Sequence, residues 1–411
     1  MTRNRFLPLR LFAPELVHNR GLVTASLGHL SIDLFAGMMP LVLLLQKDAL
    51  ALSYADVGAI SMTFSLAGSF TQPFFGWLGD RWGHGRLIVL GVAIASLSMT
   101  TMLVADRFLF LILLALIGGL ASGAFHPQGA ALASHAPAGL RGSAVSLFML
   151  GGNLGYSFGP LVATTALALA GAYMPALLMA LGLTLSLLVY WLGHKGLGDH
   201  LPHVAAVGAA PARAVLSLAL TVMFVVFFRS WIQSAVSTYI PQFVKAHGAS
   251  TELAGNLLFA ILFPLAIGGL IGGTLSDRVG RKHVLVLSTA LIGPALWGLL
   301  HTDGLLPFAF GALLGLASGA SVPVSIIMTQ DLVPHGKGFM SGVAMGLQFV
   351  SGAIGVWVTG NAADRFGLDP TLSFSVLVPL TAAALALLLP ADRRAKPAHE
   401  PARAPAEVIS E

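Results

Sequence analysis

Along this chain apolar residues do not alternate with polar ones. They run on for about 20 residues at a time, and short stretches rich in glycine and charge separate the runs. A run of that length, wound as a helix, crosses the hydrocarbon of a bilayer with its backbone groups satisfied internally. A membrane barrel would instead show short segments of period-two alternation. Twelve runs can be marked, beginning near Leu22, Ala55, Leu87, Phe108, Gly142 and Tyr173, then near Ala214, Leu253, His283, Leu305, Gly338 and Pro370. The pattern therefore predicts an all-α membrane protein with twelve transmembrane helices.

The polar breaks repeat. The stretch from Gly76 to Arg86, GWLGDRWGHGR, returns as GGTLSDRVGRK from Gly272 to Lys282, with Gly76 and Gly273 offset by 197 residues. GLASGAFHP, Gly119 to Pro127, returns as GLASGASVP, Gly315 to Pro323, at an offset of 196. Two echoes at nearly one offset mean a duplicated half. The twelve helices are thus expected as two pseudo-symmetric six-helix bundles, residues 22–193 and 214–390. A cytoplasmic segment, 1–21, precedes them. A flexible cytoplasmic linker, 194–213, joins them, and a disordered cytoplasmic tail, 391–411, follows. His200 and His203 in the linker read as solvated loop histidines. Pro40, Pro73, Pro127, Pro160, Pro264 and Pro323 fall inside runs, where neighbours or water can satisfy the freed carbonyls. A helix break is expected at Pro127, and Gly155 with Gly159 forms a GxxxG pair that permits close helix contact.

Composition sharpens the class. Of 411 residues 56% are hydrophobic and 9% charged, against about 25% charged in a typical soluble domain; mean hydropathy is +0.84. The net charge of +5 is no nucleic-acid signal here, and its distribution matters more than its size. With the N-terminus inside, inner segments hold seventeen Lys and Arg and outer loops four. Both termini are therefore expected in the cytoplasm. No cleavable leader is expected, and the absence of cysteine excludes disulfide and thiol chemistry. No phosphate-cradling loop, HExxH or hydrolytic carboxylate dyad is present, so neither an enzyme nor an ATP-driven pump is expected, and no cofactor or metal site.

At this point the motifs resemble a known family. GWLGDRWGHGR and GGTLSDRVGRK resemble the loop signature of the major facilitator superfamily, between its second and third and its eighth and ninth helices. A closer resemblance is to the fosmidomycin-resistance family of exporters. It is carried by GHLSIDLFAGMMP (Gly28 to Pro40), FHPQ (Phe125 to Gln128), GGNLGYSFGP (Gly151 to Pro160) and QDLVP (Gln330 to Pro334). There are departures: Gln128 stands where family members can carry an acid, the arginine many proton-coupled exporters keep in helix four is missing, and Ala163 and Thr164 replace the trailing glycines of the helix-five signature. The resemblance implies a monomeric, multi-pass protein of the plasma membrane that exports small antimicrobial compounds using the proton gradient. Its partners would be a small-molecule substrate, protons and membrane lipids. An alternative is a proton symporter importing a sugar or organic acid.

Chemistry is expected at ionisable residues deep in the runs. Asp33 lies mid-span, where a carboxylate costs about 2.5–3.5 kcal/mol on insertion scales, and His29 is one helical turn earlier on the same face. His126 has a proton affinity suited to exchange, and its repeat counterpart is Val322. Asp33, His29 and His126 are the candidates for proton coupling. Arg229, in the seventh helix, cannot lose its proton. It must meet Asp33, an anionic substrate or water; the superfamily resemblance puts helices one and seven beside a central cavity, so Arg229 and Asp33 are expected to face one chamber. Gln72, Gln128, Asn153, Gln233, Tyr239 and Gln348 either line that cavity or tie helices together. Gly76, Asp80, Arg81 and Arg86, with Gly273, Asp277, Arg278 and Arg281, form by resemblance a cytoplasmic gate.

Overall fold

The computed structural model describes residues 14–135, 140–193, 213–330 and 337–390. The linker, the tail, most of the N-terminal segment and Asp331 to Pro334 of QDLVP lie outside these. After a single turn at Pro14–Val17, the first half comprises α1 (Arg20–Leu50), α2 (Tyr54–Trp82), α3 (His84–Met102), α4 (Phe108–Ser134), α5 (Arg141–Ala170) and α6 (Met174–Gly193). The second comprises α7 (Arg213–Ala246), α8 (Thr251–Val279), α9 (Arg281–His301), α10 (Leu306–Gln330) and α11 (Lys337–Phe366). The twelfth span is broken at Val376 into α12 (Leu368–Ser375) and α13 (Leu377–Leu387). Every span starts within three residues of its expected position. One expectation fails: α4 runs unbroken through Pro127, because neighbouring helices hold its shape where the ring removes a donor.

The repeated motifs do the same structural work twice. Ser53 and Ser250, 197 apart, cap α2 and α8 by accepting the N–H groups of Asp56 and Leu253, each at 3.0 Å. Gly83 and Gly280 end those helices at φ 89° and 98°, a region that favours glycine. In GLASGA, a methyl added at Gly119 would overlap the Phe64 carbonyl of α2, and one at Gly315 would overlap the Ile261 carbonyl of α8. The duplicated glycines thus let α4 lie on α2 and α10 on α8 at backbone contact.

Two seams join the halves, α5 with α8 and α2 with α11. At the first, Ser157 Oγ donates to the Leu262 carbonyl at 3.0 Å, and Gly255 lies against Thr164 and the Pro160 carbonyl. The second is electrostatic. Asp364 of α11 accepts the N–H groups of Tyr54 and Ala55, both at 2.8 Å, and so caps α2 from the opposite half. The Tyr239 phenol sits 3.0 Å from the Tyr54 and Val356 carbonyls and donates its one hydrogen between them. At the repeat offset Asp364 corresponds to Leu167, so the shared scaffold does not require this lock.

Within the first half, Gly151, Gly155 and Gly159 turn one face of α5 onto the Ser26, Leu30 and Leu34 carbonyls of α1. Gly155→Val should force α1 from α5 and cost about 1–3 kcal/mol by overpacking, read as an earlier thermal transition in detergent. The chain has no cysteine, so a single one at Ser61 reports access to the interior. Asp364→Ala should speed its reaction with an impermeant thiol reagent added on the α1–α2 loop side; an unchanged rate would show that this lock carries no closure.

Candidate functional site

Asp33 is placed by α1, and one turn earlier the same face carries His29. The His29 Nε2 lies 3.2 Å from Asp33 Oδ2, and His126 of α4 brings its Nε2 to 3.5 Å from Asp33 Oδ1. Both rings are held from behind. His29 Nδ1 donates to the Phe148 carbonyl at 2.8 Å, and His126 Nδ1 to the Ser122 carbonyl at 2.8 Å. His29 is buried, stacked on Phe148 with ring centroids 4.1 Å apart and met edge-on by His126 at 5.1 Å. The carboxylate thus has cationic or hydrogen-bonding partners on both oxygens, which is what makes an acid tolerable at this depth. The ligating atoms of these three residues lie within 4.8 Å of one another. Among the described residues this is the grouping whose spacing could hold a metal ion; none is assigned to it.

Arg229 is fully buried. Its guanidinium donates to Gln233 Oε1 at 2.9 Å, Ser230 Oγ at 3.0 Å and Gln348 Oε1 at 2.6 Å, while its Nε has no partner. Its described partners are therefore neutral oxygens, and the direct pairing with Asp33 is not formed. Each glutamine commits its acceptor oxygen to the guanidinium, so the opposite edge of each amide presents only N–H donors.

Between these groups lies a cavity of about 270 Å³. Asp33, His126, Gln72, Asn153 and Tyr156 line it from the first half, and Ser230, Gln233, Ser237 and Gln348 from the second. His29 stands behind Asp33, and Arg229 behind its glutamines. The expectation that Asp33 and Arg229 face one chamber is met by Asp33 directly and by Arg229 only through those amides.

Two residues expected in the cavity are not there. Gln128 is fully buried between α2 and α3: its amide donates to the Phe75 carbonyl at 2.6 Å and accepts from His84 Nδ1 at 2.5 Å. Two positions from His126 on a helix is about 200° of rotation, so when His126 faces the cavity Gln128 faces away. Tyr239 is taken up by the α2–α11 seam. Sequence reasoning passed over Tyr156 and His84; an aromatic or a lone histidine at an apolar helix end gives no periodic signal.

At the opposite end from that seam, Gly76 faces Pro127 and Gly273 faces Pro323 at one and the same spacing, 3.8 Å for an added methyl. The Arg81 guanidinium stacks over Trp77 at 4.2 Å, and Asp80 lies 3.9 Å from His84. Arg86 and Asp277 are exposed, and Arg278 and Arg281 also lie on this surface near the α8–α9 turn.

The fold and this site can be set beside known proteins. The family model described as Major Facilitator Superfamily matches residues 22–263 and 222–411. The fosmidomycin resistance protein of Escherichia coli (strain K12) is 27% identical over 378 residues, spanning 90% of this chain and 92% of its own. The MFS-type transporter YfnC of Bacillus subtilis (strain 168) is 29% identical, spanning 92% and 94%. Among solved structures, a bacterial homolog of the human lysosomal transporter Spinster, inward-facing and unoccupied, superposes with a TM-score of 0.77 at 16% identity, covering 92% of this chain and 97% of that one. With both halves matched by one family model and twelve spans in the corresponding arrangement, this multi-pass membrane chain belongs to the Major Facilitator Superfamily of small-molecule transporters.

Proposed function

We propose that the chain is a proton-coupled secondary transporter that exports small antimicrobial or toxic compounds, fosmidomycin-like, by alternating access. It works as a monomer in the plasma membrane with both termini in the cytoplasm. The observation that carries this reading is the Asp33 carboxylate held between His29 and His126 on the wall of a cavity shared by both halves. A carboxylate so placed exchanges its charge with the chamber contents. Proton and substrate then bias which side of the carrier is open, provided they bind its two states with different affinities. Bundles 22–193 and 214–390 rock about the site, the α2–α11 and α5–α8 seams part, and the Gly76–Arg86 and Gly273–Arg281 surfaces close the cytoplasmic side.

One observation favours a second reading, proton symport of an organic acid. The wall formed by Ser230, Gln233 and Gln348 offers donors backed by a guanidinium, which suits a carboxylate or phosphonate better than a sugar, since a sugar also needs acceptors. Proton uptake at Asp33 would remove the negative charge opposite that wall, so an anion and a proton would bind together.

In everted vesicles acidified inside, the exporter reading predicts accumulation of fosmidomycin or a related toxic compound. Asp33→Asn should lower it about 5–150-fold, the effect of about 1–3 kcal/mol of coupling. Full activity in that variant would end the proton-coupling scheme. In right-side-out vesicles with acid outside, accumulation of an organic acid instead would select the symporter.

A further inference from the structure

Resting on the proton-coupled reading, we propose that the Asp33 cluster holds two exchangeable protons in distinct positions, one in the contact between each carboxylate oxygen and its histidine Nε2, with His29 keeping the inner one and Gly152 making room for it. The argument is one of donors and acceptors. Each Nδ1 lies 2.8 Å from a main-chain carbonyl. A carbonyl only accepts, so each Nδ1 carries a hydrogen whatever the charge of the ring. A neutral ring then offers only a lone pair at Nε2. Both Nε2 atoms face Asp33, on different oxygens, at 3.2 and 3.5 Å. A lone pair against a carboxylate oxygen is repulsive, so each contact is attractive only with a proton in it. The cluster therefore exists with no proton, one or two in these contacts, at a net charge of −1, 0 or +1, and the closed arrangement seen satisfies both contacts in the two-proton form.

The two positions are not equivalent. His126 lines the cavity and its side chain is 24% exposed, whereas that of His29 is 5% exposed and lies behind Asp33. The outer proton meets the chamber directly. The inner one reaches His29 only past Asp33, and the His29 ring is stacked on Phe148 with centroids 4.1 Å apart. The other ionisable groups near the cluster are Tyr156 on α5 and, across the cavity behind its amides, Arg229 on α7. Gly152 of α5 faces the His29 ring so closely that an added methyl would overlap its Nε2 edge; it is a positioning residue, acting through His29.

The test uses the full chain labelled with ¹⁵N-histidine in lipid nanodiscs, where nitrogen spectra report which ring nitrogen carries hydrogen. His29→Gln and His126→Gln assign the two rings. As pH rises, both rings are expected to pass from the doubly protonated form to the neutral Nδ1–H tautomer, in two separate steps because both contacts share one carboxylate. A neutral Nε2–H form in either ring, or one shared step, overturns the proposal. In Gly152→Ala, His29 should lose its doubly protonated form while His126 keeps it; an unchanged His29 signal overturns the positioning role. In proteoliposomes, the flux-reversal ratio of protons to fosmidomycin should be two in the parent chain and one in His29→Gln, His126→Gln and Gly152→Ala; a parent ratio of one overturns the second exchangeable proton. The expected spectra without proton-driven flux would support the two positions and remove the transport reading.

Discussion

A charge inside hydrocarbon has to be answered by another charge, a donor or water, and the two halves of this protein answer it in opposite ways. In the first, a carboxylate is bracketed by two imidazoles whose far nitrogens are tied to the main chain. In the second, a guanidinium is surrounded by an alcohol and two amide oxygens. In the proposed scheme the first answer is adjustable, because protons enter and leave it. The second is fixed, because arginine keeps its charge. A cavity with one adjustable and one constant wall changes its electrostatic character with each proton, which is the property a coupled carrier needs.

The duplicated scaffold does not carry this chemistry; the departures from it do. At the offset of 197 Asp33 corresponds to Ser230, His29 to Val226 and Arg229 to Ile32, and at the offset of 196 His126 corresponds to Val322. What the halves share is mechanical: the serine caps, the positive-φ glycines and the glycine faces that set helices at backbone contact. The seams divide the same way. One relies on small residues and a serine, the other on Asp364 capping a helix of the opposite half. A seam made of a few directional bonds can break and reform without repacking apolar surface, which suits the opening that the proposed alternating-access cycle asks of it.

The sequence by itself determined the number of spans, their starts to within three residues, the duplicated halves and the pairing of His29 with Asp33. Each of these is local or periodic: helix length against bilayer thickness, a fixed offset, and four residues to a turn. It also marked Arg229, because an unpaired cation in an apolar run stands out in one dimension. Only the tertiary structure decided which residues meet across helices. It brought His126 to the second oxygen of Asp33, turned Gln128 away toward His84, drew Tyr239 into a seam and set Arg229 behind two glutamines. Those outcomes depend on the rotation of each helix about its axis, which is fixed by the glycine faces and inter-helix packing and leaves no trace in the order of apolar and polar residues along a uniformly apolar run.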